Sequence, residues 1–136
     1  ETFAFRTDRF VVVTALDHPL AQNINAAFAQ VLDYDLVGLD RASSLQRFLA
    51  ARASREGRRL RLRVQLRSFD AVCRLVECGV GVGVVPETTA ARAVCTMNLA
   101  IVALTDDWAA RELKICVRSL DELRPVARQL VESLRA

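Results

Sequence analysis

The chain has 136 residues, 52% of them hydrophobic and 26% charged, with a formal net charge of +3 at pH 7. That length suits one domain, or part of one, with a substantial core, and that composition excludes a disordered chain. No apolar run approaches the ~20 residues that span a bilayer, and the start, ETFAFRTDRF, lacks the basic-then-apolar pattern of a secretory leader. The missing initiator methionine leads us to expect a fragment or a processed product.

Residues 8–16 read as a strand, with Phe10, Val11, Val12 and Val13 in succession. His18-Pro19 stops it, since a residue before proline avoids the helical region. A short helix is expected over 25–32 and a brief strand over 36–39. Ser43 or Ser44 can cap a helix that runs to about Arg55, with Leu45, Phe48, Leu49 and Arg52 on one side and Gly57 as its stop. Over 59–67, Arg59, Arg61, Arg63, Gln65 and Arg67 alternate with Leu60, Leu62, Val64 and Leu66, which predicts a strand over 60–66 facing a core with its apolar residues and water with its arginines.

Next comes a helix over 68–78. Ser68 can cap it, Asp70 complements the helix dipole, and Val72, Leu75, Val76 and Gly79 share one face. Gly79 falls where a helix ends in the left-handed conformation. Residues 81–85 read as a buried strand, and Pro86 suits the first turn of a helix that ends near Val94. A strand over 99–104, a polar loop over 105–111, a strand over 113–117 and a helix over 119–134 complete the chain. That last helix has an apolar stripe of Leu120, Leu123, Val126, Ala127, Leu130, Val131 and Leu134; Pro125 should kink it or mark its start. Strands alternating with helices predict an α/β sheet with helices on its faces.

Gly79, Gly81 and Gly83 suggest a phosphate-binding loop, but the order is wrong. A dinucleotide fingerprint runs from strand to glycines to helix, whereas these glycines follow a helix and enter a strand, so they serve close packing. Cys73, Cys78, Cys95 and Cys116 have no paired metal spacing, and reduced, buried thiols are expected. The basic region of Arg52, Arg55, Arg58, Arg59, Arg61, Arg63 and Arg67 reads as a solvated face, since no DNA-reading motif accompanies it. No nucleophile elbow, HExxH or P-loop occurs, so no catalytic residue, metal or cofactor is assigned. The single histidine, His18, reads as a turn residue. Asp106-Asp107 reads as an exposed acidic turn, and Trp108 as a hinge cover or an interface residue.

A small-ligand site has more support. In open α/β sheets ligands sit outside the carboxyl ends of strands, where helix N-termini converge. Two such places are Asp40, Arg41, Ser43 and Ser44, and Arg67, Ser68 and Phe69. The hydroxyls and free helix amides suit a carboxylate or another small anion, with Arg41 or Arg67 for charge and Phe69 as an apolar wall. The serines are equally readable as plain caps, and Asp40 would repel an anion unless Arg41 screens it.

SFDAVCRLVECGVGVGVVPE (68–87) resembles the helix–glycine–strand–proline signature of the effector-binding domain of LysR-type transcriptional regulators. DRFVVVTALDHPLA (8–21), DLVGLDRASSLQRFL (35–49) and ELKICVRSLDELRPVARQLVESL (112–134) extend the resemblance over most of the chain. It implies a periplasmic-binding-protein-like α/β fold. Residues 18–106 would form a nearly complete second subdomain, and residues 1–17 and 107–136 the crossover strands and a remnant of the first. It also implies a non-enzymatic, cytoplasmic sensor whose effector cleft uses the two loops named above. Partners would be a small-molecule effector, further copies of the chain as a dimer or tetramer, and DNA only through a winged helix-turn-helix domain absent here. A solute-binding protein of transport, or a dimerisation module without ligand, remain the alternatives.

Overall fold

The computed structural model describes residues 1–135. The chain passes between two compact units, one of Glu1–Arg9 with the chain from Ala110 onward, the other of Phe10–Ala109. Its first strand, β1 (Thr2–Ala15), contributes to both.

In the larger unit the second half of β1 lies antiparallel between β5 (Gly83–Pro86) and β6 (Leu99–Leu104). The two-residue β2 (Asn25–Ala26) pairs parallel with β6. β3 (Leu36–Leu39) pairs parallel with β4 (Leu62–Leu66), and a parallel bridge from Leu36 to Val82 leads from β3 towards β5. Every strand of this unit except β1 therefore runs in one direction. Their carboxyl ends gather where β1 enters at Phe10.

Phe10 to Val13 are all buried because helices cover both faces of this sheet. Alternate side chains take opposite faces. Phe10 and Val12 join Phe28, Leu49 and Leu104 in one cluster, on the side of α1 (Phe28–Val31) and α2 (Ser44–Arg55). Val11 and Val13 join Val72, Val76 and Ala90 in another, on the side of α3 (Phe69–Glu77) and α4 (Glu87–Ala93).

Gly79 ends α3 at φ +83°, and its amide reaches the Val76 carbonyl. Gly81 and Gly83 are packing positions. A Cβ on Gly81 would lie 2.5 Å from the Asp35 carbonyl oxygen, and one on Gly83 2.8 Å from Val72 Cγ1.

In the smaller unit the first half of β1 pairs antiparallel with β7 (Ala110–Cys116). Phe3, Phe5, Leu113 and Ile115 alternate with exposed neighbours along this ribbon. The terminal amine donates to the Val117 carbonyl, the Glu1 carboxylate accepts from the Leu120 amide, and the Arg135 guanidinium lies 4.1 Å from the Phe3 ring centre. α5 (Pro125–Arg135) buries only Val131 and exposes Val126, Leu130 and Leu134.

Several expectations need correction. The first strand begins at Thr2, because residues 2–9 find a partner in β7, and β7 itself begins at Ala110 for the same reason. Residues 25–32 split into β2 and the one-turn α1. The buried strand starts at Gly83, with Val82 held by one bridge. Pro86 ends β5 and caps α4 from outside its first turn. Pro125 starts the last helix, so Leu120 and Leu123 precede it. Leu62 is 38% exposed, since β4 has only β3 beside it among the described residues. Only Cys73 is buried; Cys78, Cys95 and Cys116 are exposed.

Candidate ligand site

β3 and β4 end side by side, Leu39 opposite Leu66. The Asp40 amide still donates to the Leu66 carbonyl at 3.0 Å, and the chain then turns. Asp40 builds that turn: its carboxylate accepts from the Ala42 amide at 3.1 Å and its carbonyl from the Ser43 amide. Ser43 is the cap of α2, accepting from the Gln46 amide at 3.3 Å, while Ser44 is the first helical residue.

The adjacent strand repeats the arrangement. After Leu66 come the exposed Arg67 and Ser68, and the Ser68 hydroxyl accepts from the Ala71 amide at 3.2 Å to start α3. Phe69 is half-buried against the cluster under α3. The loops after β3 and β4 thus stand next to each other at one edge of the sheet. Ser43 and Ser68 head two helices whose positive dipole ends lie there. Arg41 is exposed; the Asp40 carboxylate is engaged by a backbone amide. Sulfur, imidazole and carboxylate groups form no cluster able to hold a metal among the described residues.

Residues outside the expected set shape this edge too. Gln46, three residues after its cap, fits a capping-box pattern in which the glutamine returns to the cap amide. Instead its Oε1 accepts from the Leu39 amide at 3.1 Å, and Gln65 Nε2 donates to the Leu39 carbonyl at 3.1 Å. Both amides thereby fix the end of β3. Asp106, just beyond β6, accepts from the Phe28 amide at 2.8 Å and so starts α1. Trp108 packs edge-on against Phe28 and Phe48, each with ring centres 5.2 Å apart. Its position was unreadable from sequence, since both partners are distant along the chain.

His18 lies elsewhere, before the strands rather than after them. Its Nδ1 accepts from the Leu20 amide at 3.1 Å and its ring meets Tyr34 edge-on. Burial lowers its pKa, with Asp17 opposing. The basic region is partly neutralised: Arg58 pairs with Asp33 at 2.8 Å, and Arg61 and Arg63 with Asp35 at 3.2 and 3.6 Å.

Compared with known protein families, residues 1–136 match the LysR substrate binding domain. No curated protein matches the chain. Among solved structures, the effector-binding domain of QuiR in complex with shikimate aligns at 17% identity and a TM-score of 0.75, covering 99% of this chain and 63% of that one. The effector-binding domain of a BenM variant aligns at 22% identity and a TM-score of 0.80, with the same coverage of 99% and 63%. The CcmR regulatory domain of Synechocystis, in complex with 2-PG, aligns at 19% identity and a TM-score of 0.84, covering 99% and 65%. The likeness to these three is one of fold, and this chain spans less than two thirds of each.

Proposed function

Because this chain belongs to the LysR substrate-binding domain family, we propose that it is the effector-sensing part of a LysR-type transcriptional regulator. Residues 18–106 are then the second effector-binding subdomain, and residues 1–17 and 107–136 the crossover strands and a remnant of the first. The effector binds at Asp40, Arg41, Ser43 and Ser44 together with Arg67, Ser68 and Phe69. It acts only through its different affinity for two arrangements of the subdomains. Binding without catalysis suffices for this role. DNA contact belongs to a separate domain, and the working form is a cytoplasmic homo-oligomer.

One observation carries this reading: two serine-capped helices start side by side beyond the carboxyl ends of parallel strands. That crevice is where ligands of open α/β sheets bind. The effector is expected to be a small organic acid, as its acidic group would meet two helix N-termini and the Arg41 and Arg67 side chains.

Thermal unfolding with a panel of small organic acids, including shikimate and benzoate, tests this. At least one acid should raise the melting temperature, and Ser68→Ala and Arg67→Ala should each abolish most of that rise relative to their own unliganded midpoint. A ligand-induced rise unchanged in both variants would overturn the site.

A further inference from the structure

Residues 40–44, the first loop of the strand-end site, lie between two fixed points, the last residue of β3 and the first turn of α2. Gln46 is bound to both. Its backbone amide donates to the Ser43 hydroxyl at 3.3 Å, and its side-chain Oε1 accepts from the Leu39 amide at 3.1 Å. Gln65 grips the same point from β4, its Nε2 donating to the Leu39 carbonyl at 3.1 Å. The Leu39 amide and carbonyl belong to successive peptide groups, each of them planar. Gln46 thus orients the 38–39 peptide, and Gln65 the 39–40 peptide, which also carries the Asp40 amide. That amide donates to the Leu66 carbonyl, and Asp40 then builds the turn to Ala42 and Ser43.

Gln46 is only 5% exposed, so it acts on the turn and not on a ligand. Its Nε2 is buried with no hydrogen-bond partner among the described residues. An unmet buried donor costs stability that an aliphatic side chain would not. What the oxygen does for Leu39 accounts for an amide at this position. Gly38 leaves room for it, since a Cβ there would lie 2.6 Å from Oε1.

We propose that Gln46 and Gln65 are positioning residues, which together hold residues 40–44 in their ligand-binding shape before any ligand arrives. The use of that shape in binding rests on the strand-end site proposed above; the clamp itself does not. A loop that is already ordered loses less conformational freedom on binding. Loosening the clamp therefore weakens binding without removing a ligand contact.

Amide hydrogen exchange of the full, ligand-free chain, read residue by residue by NMR, tests this. Gln46→Met keeps an unbranched side chain of similar length but loses the acceptor. Gln65→Thr, at an exposed strand position, is too short to reach Leu39. Each should speed exchange of the Ala42 and Ser43 amides, which neither glutamine touches, about fivefold more than any change at Val72 and Val76 of α3. A change in either variant that is confined to Leu39 and Asp40, or no larger than that at Val72 and Val76, would overturn the proposal. Benzoate and shikimate, added as probes, separate the clamp from the site. Where either acid shifts residues 40–44 and 67–69, both variants should weaken its binding about fivefold, and unchanged affinity would overturn the proposal. Shifts only elsewhere would overturn the strand-end site and leave the exchange result to decide the clamp.

Discussion

His18 shows how one side chain can tie local structure to pH. Its unprotonated Nδ1 accepts the Leu20 amide and so starts the turn after β1. Protonation converts that acceptor into a donor and breaks the cap. Burial holds the imidazole below its ordinary pKa, with the opposing charge of Asp17 a smaller influence. As pH falls, the unfolded chain takes up the proton first. The stability His18 contributes is thus fully present above about pH 6.5 and is lost as pH falls through the lower folded-state value. His18→Asn keeps a capping acceptor but does not titrate in this range. Urea midpoints at about pH 7.5 and about pH 5 should therefore fall further for the parent than for the variant, and equal falls would contradict this role. The proline after His18 made the turn legible in sequence, but Tyr34, which meets the ring edge-on, lies sixteen positions on and gave no local sign.

Among the elements, those delimited by local chemistry or by a clear apolar run, such as β3 and β6, were legible, and those whose bounds rest on distant pairing alone were not. Ser68 and Gly79 bracket α3 through side-chain capping and a left-handed stop, both properties of single residues. β2 has two residues and exists because β6 runs beside it, so no periodicity could reveal it. The start of β7 was hidden by the charged run Arg111-Glu112, which alternates correctly only once β1 is known to lie opposite. Leu62 was read as inward because alternation cannot show that a strand lies at an edge. The glycines yield a graded prediction. Gly79→Ala forces a side chain to φ +83° over open space and should cost roughly 1–2 kcal/mol. Gly81→Ala drives a Cβ into the Asp35 backbone carbonyl, with no flexible side chain to yield, and should cost more, about 2–3 kcal/mol. Urea denaturation of the two variants checks the order; a milder effect at Gly81 would show that the 35–36 backbone can move aside.

At the scale of the whole molecule, net charge and composition excluded more than they identified. The arginine-rich stretch owes much of its placement to Asp33 and Asp35, which hold Arg58, Arg61 and Arg63, and this favours a solvated structural face over a nucleic-acid surface. The candidate site was legible in outline, because Ser43 and Ser68 follow strand patterns and precede helical ones. Its adjacency was not, since only the parallel pairing of β3 with β4 brings the two loops together. Gln46 had no signal beyond its distance from Ser43, and its unusual reach to Leu39 depends on Gly38 leaving room beside it. Ligand binding where these loops meet is the central claim, and mapping of backbone amide shifts on the full chain tests it most directly. With whichever organic acid raises the melting temperature, the largest shifts should fall on residues 40–44 and 67–69 and should disappear in Ser68→Ala. Shifts lying wholly elsewhere, or persisting unchanged in Ser68→Ala, would contradict it.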